Sequence, residues 1–304
     1  MAILKRIGVI FLRVSISILL LIVLFHKVDG QALWGLIKAS HKIDIVFAFI
    51  IVLVIDALCF IRWDMLLKAS GVSVPVKTLL KSFCGGLFFN VFLPSTIGGD
   101  VVKTLDLAAH TSKAKEVAST VFLDRLSGYV ALVIVVLAAC IVGWRYVEDR
   151  TVLYSIAVIT GVLISILLVL FNRFVYNFVN GLLYSPTAGR IRTSIQEVHE
   201  EMHSLGKKKK ILFYNLCLSL VVQLLGPVST YLICRSLGSE INFMYFLIFP
   251  PIIGAITLLP ISIGGLGLRD ASTVYFFAKA GLPGNIAFAM SLLGFFIIVV
   301  IASV

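Results

Sequence analysis

Residues 45–67, IVFAFIIVLVIDALCFIRWDMLL, form a long and largely apolar run. A helix of about 20 mostly apolar residues crosses a hydrocarbon core about 30 Å thick, so this run is long enough to span a bilayer. Similar runs recur, and 60% of the 304 residues are hydrophobic while 13% are charged. Soluble globular chains carry about 45–50% apolar and about 25% charged residues. The sequence therefore predicts an all-α integral membrane protein, a polytopic helical bundle with one transmembrane domain over residues 1–304.

Apolar runs of spanning length predict about six transmembrane helices. Their expected bounds are Ile7–Phe25, Ile45–Leu67, Thr120–Gly143, Val152–Phe171, Ile211–Cys234 and Pro283–Ala302.

Two further apolar stretches, Leu79–Gly99 and Ile241–Gly265, each contain a proline followed closely by paired glycines. Proline ends the hydrogen-bonded ladder of a helix because it has no N–H. Broken backbone at membrane depth is tolerated where it is buried in protein or lines a polar cavity. These stretches are predicted to be re-entrant broken helices that form a pair resembling an inverted repeat.

The distribution of basic residues supports this topology. With both stretches re-entrant and a cytoplasmic N-terminus, 18 Lys and Arg lie on the cytoplasmic side and 8 outside. With both stretches spanning, the counts become 10 inside and 16 outside, and reversing that orientation gives 16 and 10 but leaves Lys5, Arg6 and Arg13 outside. Because basic residues accumulate on the cytoplasmic side, the re-entrant arrangement is favoured. The net charge of +11 is explained by these loops, so a nucleic-acid partner is not expected.

The polar segment 172–210 is predicted to include an amphipathic helix on the cytoplasmic leaflet. Its apolar residues recur at steps of three and four, and Lys207 to Lys210 follow them. His199 to His203 spell H-E-x-x-H, which on a helix can bind zinc. No third ligand stands at a recognisable spacing. No metal and no cofactor are therefore expected, and a metalloprotease is the weaker alternative to a polar helix face.

The most informative motif occurs twice. Residues 93–99, LPSTIGG, recur as residues 259–265, LPISIGG. Lys103 and Arg269 follow at the same distance from the second glycine of each copy. Asp100 extends the first copy, and the second adds Gly267 and Asp270.

This motif is typical of an anion site. Glycines permit positive φ and close approach of a ligand to the backbone. Unpaired N–H groups at a helix start, beside a basic side chain, favour an anionic group such as a phosphate. Two broken elements that enter from opposite faces resemble transporter repeats, whose sites lie near the bilayer midplane. The alternative is that both copies are packing kinks in which glycine allows close helix contact.

A second cluster, Asp124-Arg125 with Gly128, is placed at the cytoplasmic start of the third span. Its charged side chains either extend toward the interface and set orientation, or face the bundle. In the second case Arg125 can pair with Asp100 or hold a lipid phosphate.

These motifs, in this order, resemble the transmembrane family of lysylphosphatidylglycerol synthases, also called flippase-like. The resemblance covers almost the whole chain. It departs at Lys103, where family members often carry Arg, and at Asp124 and Asp270, where they often carry Glu. It implies a helical domain that moves lipids or lipid-linked molecules between leaflets. The soluble aminoacyltransferase domain of larger relatives has no counterpart here, because no polar stretch exceeds residues 172–210.

The expected function is therefore translocation of an anionic phospholipid or lipid-linked precursor in the cell inner membrane. Two alternatives remain: a membrane component of lipid modification, such as aminoacyl-phosphatidylglycerol synthesis, and a non-transporting scaffold. Expected partners are the lipid, the membrane and either a lipid-modifying enzyme or a second copy of the chain. No catalytic residue is assigned. The candidate substrate-binding residues are Asn90, Pro94, Gly98, Gly99, Asp100, Lys103, Asp124, Arg125, Pro260, Gly264, Gly265, Gly267, Arg269 and Asp270.

Overall fold

A computed structural model describes residues 30–93, 98–144, 150–171, 208–257 and 265–303, with positions 15, 19, 22 and 262. Within these ranges the chain is helical and contains no strand. The helices are α1 Gly30–Ala39, α2 Lys42–Ala69, α3 Val76–Phe92, α4 Gly98–Thr111, α5 Ala114–Val142, α6 Arg150–Phe171, α7 Lys209–Ser236, α8 Met244–Thr257, α9 Leu268–Lys279 and α10 Gly284–Ala302.

Five of the described helices, α2, α5, α6, α7 and α10, are long and apolar enough to cross a membrane. They coincide with five of the six predicted spans, which confirms the polytopic helical class. The sixth predicted span, Ile7–Phe25, lies outside the described residues except at positions 15, 19 and 22. The predicted amphipathic segment also lies outside them, apart from its last residues, which are Lys208 and the start of α7.

Helices α3 and α4 form an antiparallel hairpin. Ser82 donates a hydrogen bond to Asp106 near its open end, and Gly86 meets Gly99 near its tip. The legs have 17 and 14 residues, about 25 Å and about 21 Å. Each leg is shorter than the hydrocarbon core, and the chain returns to the end of the bundle from which it came. The first motif stretch is therefore a re-entrant hairpin.

Helices α8 and α9 form a second antiparallel hairpin. The rings of Phe249 and Phe276 lie 5.7 Å apart, while Thr257 contacts Gly265 at the tip. The legs have 14 and 12 residues, about 21 Å and about 18 Å. Each hairpin extends well beyond the predicted stretch, because the second leg continues as a helix after the paired glycines.

The hairpins open toward opposite ends of the bundle. The first hairpin starts just after the end of α2, and it ends just before the start of α5. Helix α7 runs antiparallel to α2, since the His41 N–H donates to the Ser236 carbonyl and the Lys208 ammonium reaches the Ala69 carbonyl at the other end. The second hairpin follows α7 and leads into α10. It therefore enters from the face opposite to the first.

The helices thus form two units of span, hairpin and span, namely α2 to α5 and α7 to α10, joined through α6. The two units pack through equivalent helices. The last span of the first unit, α5, contacts the first hairpin leg of the second, α8, and the last span of the second unit, α10, contacts the first hairpin leg of the first, α3. The first spans, α2 and α7, contact each other along most of their length. This arrangement is an inverted repeat.

Helix α1 was not among the predicted elements. It has ten residues, too few to span, and it packs on α10 through the buried Leu33 with Leu36 and Ile37. The spacing of these three apolar side chains is that of one helix face, which is the signal in the sequence.

Candidate functional site

One cavity of about 710 Å³ lies between the two hairpins and four spans, α2, α5, α7 and α10. Both hairpin tips reach it, through Asn90 of α3 and Thr257 of α8 among others. Its wall carries four basic side chains and three carboxylates, namely Arg62, Lys103, Arg125 and Arg269 against Asp56, Asp100 and Asp124.

The tip of the first hairpin is held by close backbone contact. A Cβ placed on Gly99 would lie 1.9 Å from the Gly86 carbonyl oxygen, so the two helices cross without room for a side chain. The Gly99 N–H donates to the Asn90 Oδ1 at 2.9 Å. Asn90 therefore caps the start of α4 from the opposite leg. The Gly99 N–H, which the sequence predicted to contact an anionic ligand, is therefore bonded inside the hairpin. Gly99 allows close contact between the two helices, as the packing alternative predicted.

The tip of the second hairpin depends on positive φ. Gly265 has φ +76° and Gly267 has φ +78°, conformations that other residues rarely adopt. The Gly267 N–H donates to the Asp270 Oδ2 at 2.9 Å, so Asp270 caps the start of its own helix, α9. Asp270 is fully buried and also accepts a hydrogen bond from Ser291 at 2.5 Å. These contacts give Asp270 a structural role in the hairpin.

Gly267→Ala is expected to destabilise the protein by about 1–3 kcal/mol, the usual cost of an L residue in a sparsely populated backbone region. The measurement is the midpoint of thermal unfolding in detergent. Gly161→Ala in α6 is the control, because a Cβ there meets no atom within 4 Å. Equal midpoints for the two variants would contradict the strained turn.

The charged residues of the first hairpin form a linked group with α5. The Asp100 carboxylate lies 3.0 Å from the Lys103 Nζ and 2.6 Å from the Arg125 Nε. The Lys103 ammonium also lies 4.9 Å from the ring centre of the buried Trp63. Of the alternatives that the sequence left open for Arg125, the structure shows the pair with Asp100. Lys103 is buried, with 9% of its side chain exposed, whereas Arg125 keeps 40% exposed.

A second pair joins α2 to α5. The Arg62 Nη2 lies 2.8 Å from the Asp124 Oδ1 and donates to the Asp124 carbonyl at 2.7 Å. Helix α5 begins at Ala114, about three turns before Asp124, so this residue is not at a helix entrance. Helix α5 therefore starts earlier than its apolar run, and the location of Asp124 at the cytoplasmic start of the span stays a prediction. A Cβ on Gly128 would lie 3.8 Å from the Arg62 Nη2, which is an ordinary van der Waals contact, so Arg62 does not require glycine at this position.

Arg269 occupies the matching place in the second hairpin. Its guanidinium lies 2.8 Å from Asp270 and 3.1 Å from the Ser291 hydroxyl, with the Phe295 ring 4.7 Å away. Arg269 lines the cavity and keeps 21% of its side chain exposed. Arg125 and Arg269 are thus the basic residues of the wall with the largest exposed fractions.

The structure brings six of the predicted site residues to the cavity wall: Asn90, Asp100, Lys103, Asp124, Arg125 and Arg269. Four glycines and Asp270 shape the hairpin tips instead, namely Gly98, Gly99, Gly265 and Gly267. Three predicted residues, Pro94, Pro260 and Gly264, lie outside the described residues, as does the H-E-x-x-H segment.

Two charged residues of the cavity wall were not predicted from the sequence, Asp56 and Arg62. Both belong to the apolar run that first indicated a membrane protein. Charged residues inside a span are costly and mark functional positions, and that is the signal that identifies them.

The family model for the lysylphosphatidylglycerol synthase TM region matches residues 10–304. A UPF0104 membrane protein of Methanothermobacter thermautotrophicus is 23% identical over 274 residues, 83% of this chain and 80% of the relative. A UPF0104 membrane protein of Pyrococcus horikoshii is 23% identical over 282 residues, 84% of each chain. No solved structure matches the chain. The chain belongs to the family described as the lysylphosphatidylglycerol synthase TM region.

Proposed function

We propose that this protein moves an anionic phospholipid or a lipid-linked precursor between the leaflets of the cell inner membrane. The observation that carries the proposal is the cavity between the two hairpins, which is lined by two partly exposed guanidinium groups, those of Arg125 and Arg269. Family membership supports a membrane protein in a lipid context. The cytoplasmic N-terminus belongs to the same proposal, because it follows from the distribution of basic residues.

In this proposal the head group contacts Arg125 and Arg269, one beside each hairpin. Their guanidinium groups suit phosphate oxygens because they present several donors in a planar fork. Lys103 pairs with the Asp100 carboxylate and Arg62 pairs with the Asp124 carboxylate. These two cations do not contact the head group in this proposal, but their positive charges also attract it. The acyl or isoprenyl tails stay in the surrounding lipid while the head crosses.

The inverted repeat supports movement across the bilayer. Hairpins that enter from opposite faces give the cavity related walls toward each leaflet, as in transporters built from inverted repeats. A rocking motion of one unit against the other would then expose the head group to either side in turn. A purely scaffolding role needs neither this symmetry nor a charged cavity.

Arg125→Ala and Arg269→Ala are each expected to slow leaflet exchange of fluorescent phosphatidylglycerol in proteoliposomes by about tenfold or more. A hydrogen bond to a charged group contributes about 1.5–3 kcal/mol, and about 1.4 kcal/mol corresponds to tenfold. Arg125→Ala should fold, because the Asp100 carboxylate still pairs with Lys103. Arg269→Ala removes the cation beside the buried Asp270, which retains only its hydrogen bonds from the Gly267 N–H and Ser291, so the thermal unfolding midpoint of this variant is measured together with its exchange rate.

The matched control is Lys77→Ala, which removes an exposed basic residue of α3 outside the cavity and should leave exchange unchanged. Wild-type rates in both arginine variants would remove the proposed head-group site. If vesicles that contain wild-type protein exchange the lipid no faster than protein-free vesicles, the transport function is refuted, and the scaffold or the lipid-modifying alternative is favoured.

A further inference from the structure

Asp56 is a carboxylate in the middle of a membrane span. Helix α2 runs over Lys42–Ala69, so Asp56 lies about 20 Å from each of its ends. The span around it is highly apolar, yet Asp56 lines the cavity. A carboxylate at such a position is energetically costly in its charged form and marks an ion or proton pathway.

Asp56 differs from the other carboxylates of the cavity wall in having no counter-ion. Asp100 contacts two basic groups and Asp124 contacts Arg62. Within the described part of the chain, Asp56 makes no ion pair and no hydrogen bond. The basic residue nearest in sequence on its own helix, Arg62, lies about 9 Å farther along the axis and is held by Asp124.

No charged group of the described residues forms an ion pair with Asp56 within 4.0 Å. Helix α2 also contributes the Cys59 thiol, and α3 contributes the Cys84 thiol within electrostatic range of Asp56. Helices α7 and α10 contribute uncharged lining residues. The remaining titratable and charged groups of the wall are Asp100 and Lys103 from α4, Asp124, Arg125 and Tyr129 from α5, and Arg269 from α9.

A proton fits this position better than a metal ion does. Calcium and magnesium bind through six or more oxygen ligands in proteins. The described residues contain no group of three or more His, Cys, Asp or Glu side chains that could hold a metal. A single carboxylate can still bind a proton and become neutral, which removes its desolvation cost.

We propose that Asp56 is the proton-binding site of this protein and that it couples lipid movement to a proton gradient; this inference rests on the proposed transport function. With Asp56 ionised, the wall has four positive and three negative side chains, and the buried Asp270 carboxylate pairs with the wall residue Arg269. When Asp56 takes up a proton, the carboxylates fall to two and the wall attracts an anionic head more strongly. The proton and a singly charged head group then cross in the same direction, and no net charge moves. Release of the proton on the far side weakens head-group binding and completes the cycle.

The test uses proteoliposomes that hold the full chain and fluorescent phosphatidylglycerol, with the two sides at different pH. Wild type should accumulate the label in the leaflet facing the alkaline side, by up to about tenfold for one pH unit, since that is the ratio of proton activities. The Asp56→Asn side chain stays neutral at every pH. This variant should exchange the label when the pH is equal on both sides, and under a pH gradient it should distribute the label equally between the two leaflets. Asp64→Asn is the control on the same helix, because Asp64 pairs with the exposed Lys68 and does not line the cavity.

A second measurement is independent of transport. Infrared difference spectra between acidic and alkaline buffer should contain, among the carboxyl C=O bands of the other acidic side chains, one band that is present in wild type and Asp64→Asn and absent in Asp56→Asn. Persistence of that band in Asp56→Asn would overturn the inference. An unchanged gradient response in Asp56→Asn would overturn it and leave the transport function standing. Absence of exchange by wild type at every pH would instead refute the transport function, and the coupling with it.

Discussion

Gly99→Ala is expected to prevent assembly of the first hairpin. The added Cβ would lie 1.9 Å from the Gly86 carbonyl oxygen and 2.7 Å from the Asn90 side chain. The first of these atoms is backbone, so rotation of a side chain cannot relieve the clash. Separation of the helices would also break the Asn90 cap on α4. Overpacking commonly costs about 1–3 kcal/mol, and this contact belongs above that range.

The measurement is the yield of folded, monodisperse protein and its thermal unfolding midpoint in detergent. Gly85→Ala is the matched control, because Gly85 is the chain neighbour of Gly86 in α3 and a Cβ there meets nothing within 4 Å. That control should be neutral or slightly stabilising, since alanine favours a helix over glycine by up to about 1 kcal/mol. Normal folding of Gly99→Ala would show that α3 and α4 do not cross at these residues.

Asp124→Ala should cost about 3–5 kcal/mol, the usual penalty for removing one partner of a buried ion pair. It leaves the Arg62 guanidinium, 4% of whose side chain is exposed, without its carboxylate. The Arg62 contact to the Asp124 carbonyl oxygen survives but does not neutralise the charge. The thermal unfolding midpoint should fall far more than for Lys68→Ala, which breaks the solvent-exposed pair with Asp64.

The double variant Arg62→Met with Asp124→Leu separates loss of charge balance from loss of packing. Replacement of both charges by apolar side chains of similar size is often neutral or stabilising. We therefore expect the double variant to recover most of the stability that Asp124→Ala loses. A double variant as unstable as Asp124→Ala would contradict the account of this pair.

The spans could be predicted from the sequence because bilayer thickness fixes the length of an apolar run. The hairpins could be predicted because proline and paired glycines interrupt two apolar stretches at the same spacing. The full length of the hairpins could not be predicted, because α4 and α9 contain buried charged residues and their sequences therefore resemble those of loops. Helix α1 was overlooked for a related reason: it is short and only one of its faces is apolar.

Local motifs placed Asp100, Lys103, Arg125 and Arg269 at one site, and the cavity brings all four together. The contact between Arg62 and Asp124 joins residues 62 positions apart, which a single sequence does not specify. The motifs also left two interpretations open for the glycines. Geometry assigns close packing to Gly99 and positive φ to Gly267, while internal acceptors cap both helix starts.

Native mass spectrometry of protein released from its membrane tests most directly whether the cavity between the hairpins receives an anionic lipid. Wild-type protein should retain an anionic phospholipid or lipid-linked phosphate, and the double variant Arg125→Ala with Arg269→Ala should lose it, while Lys77→Ala keeps it. Equal retention by the double variant and wild type would show that the bound lipid does not depend on these two arginines. That result would contradict the account.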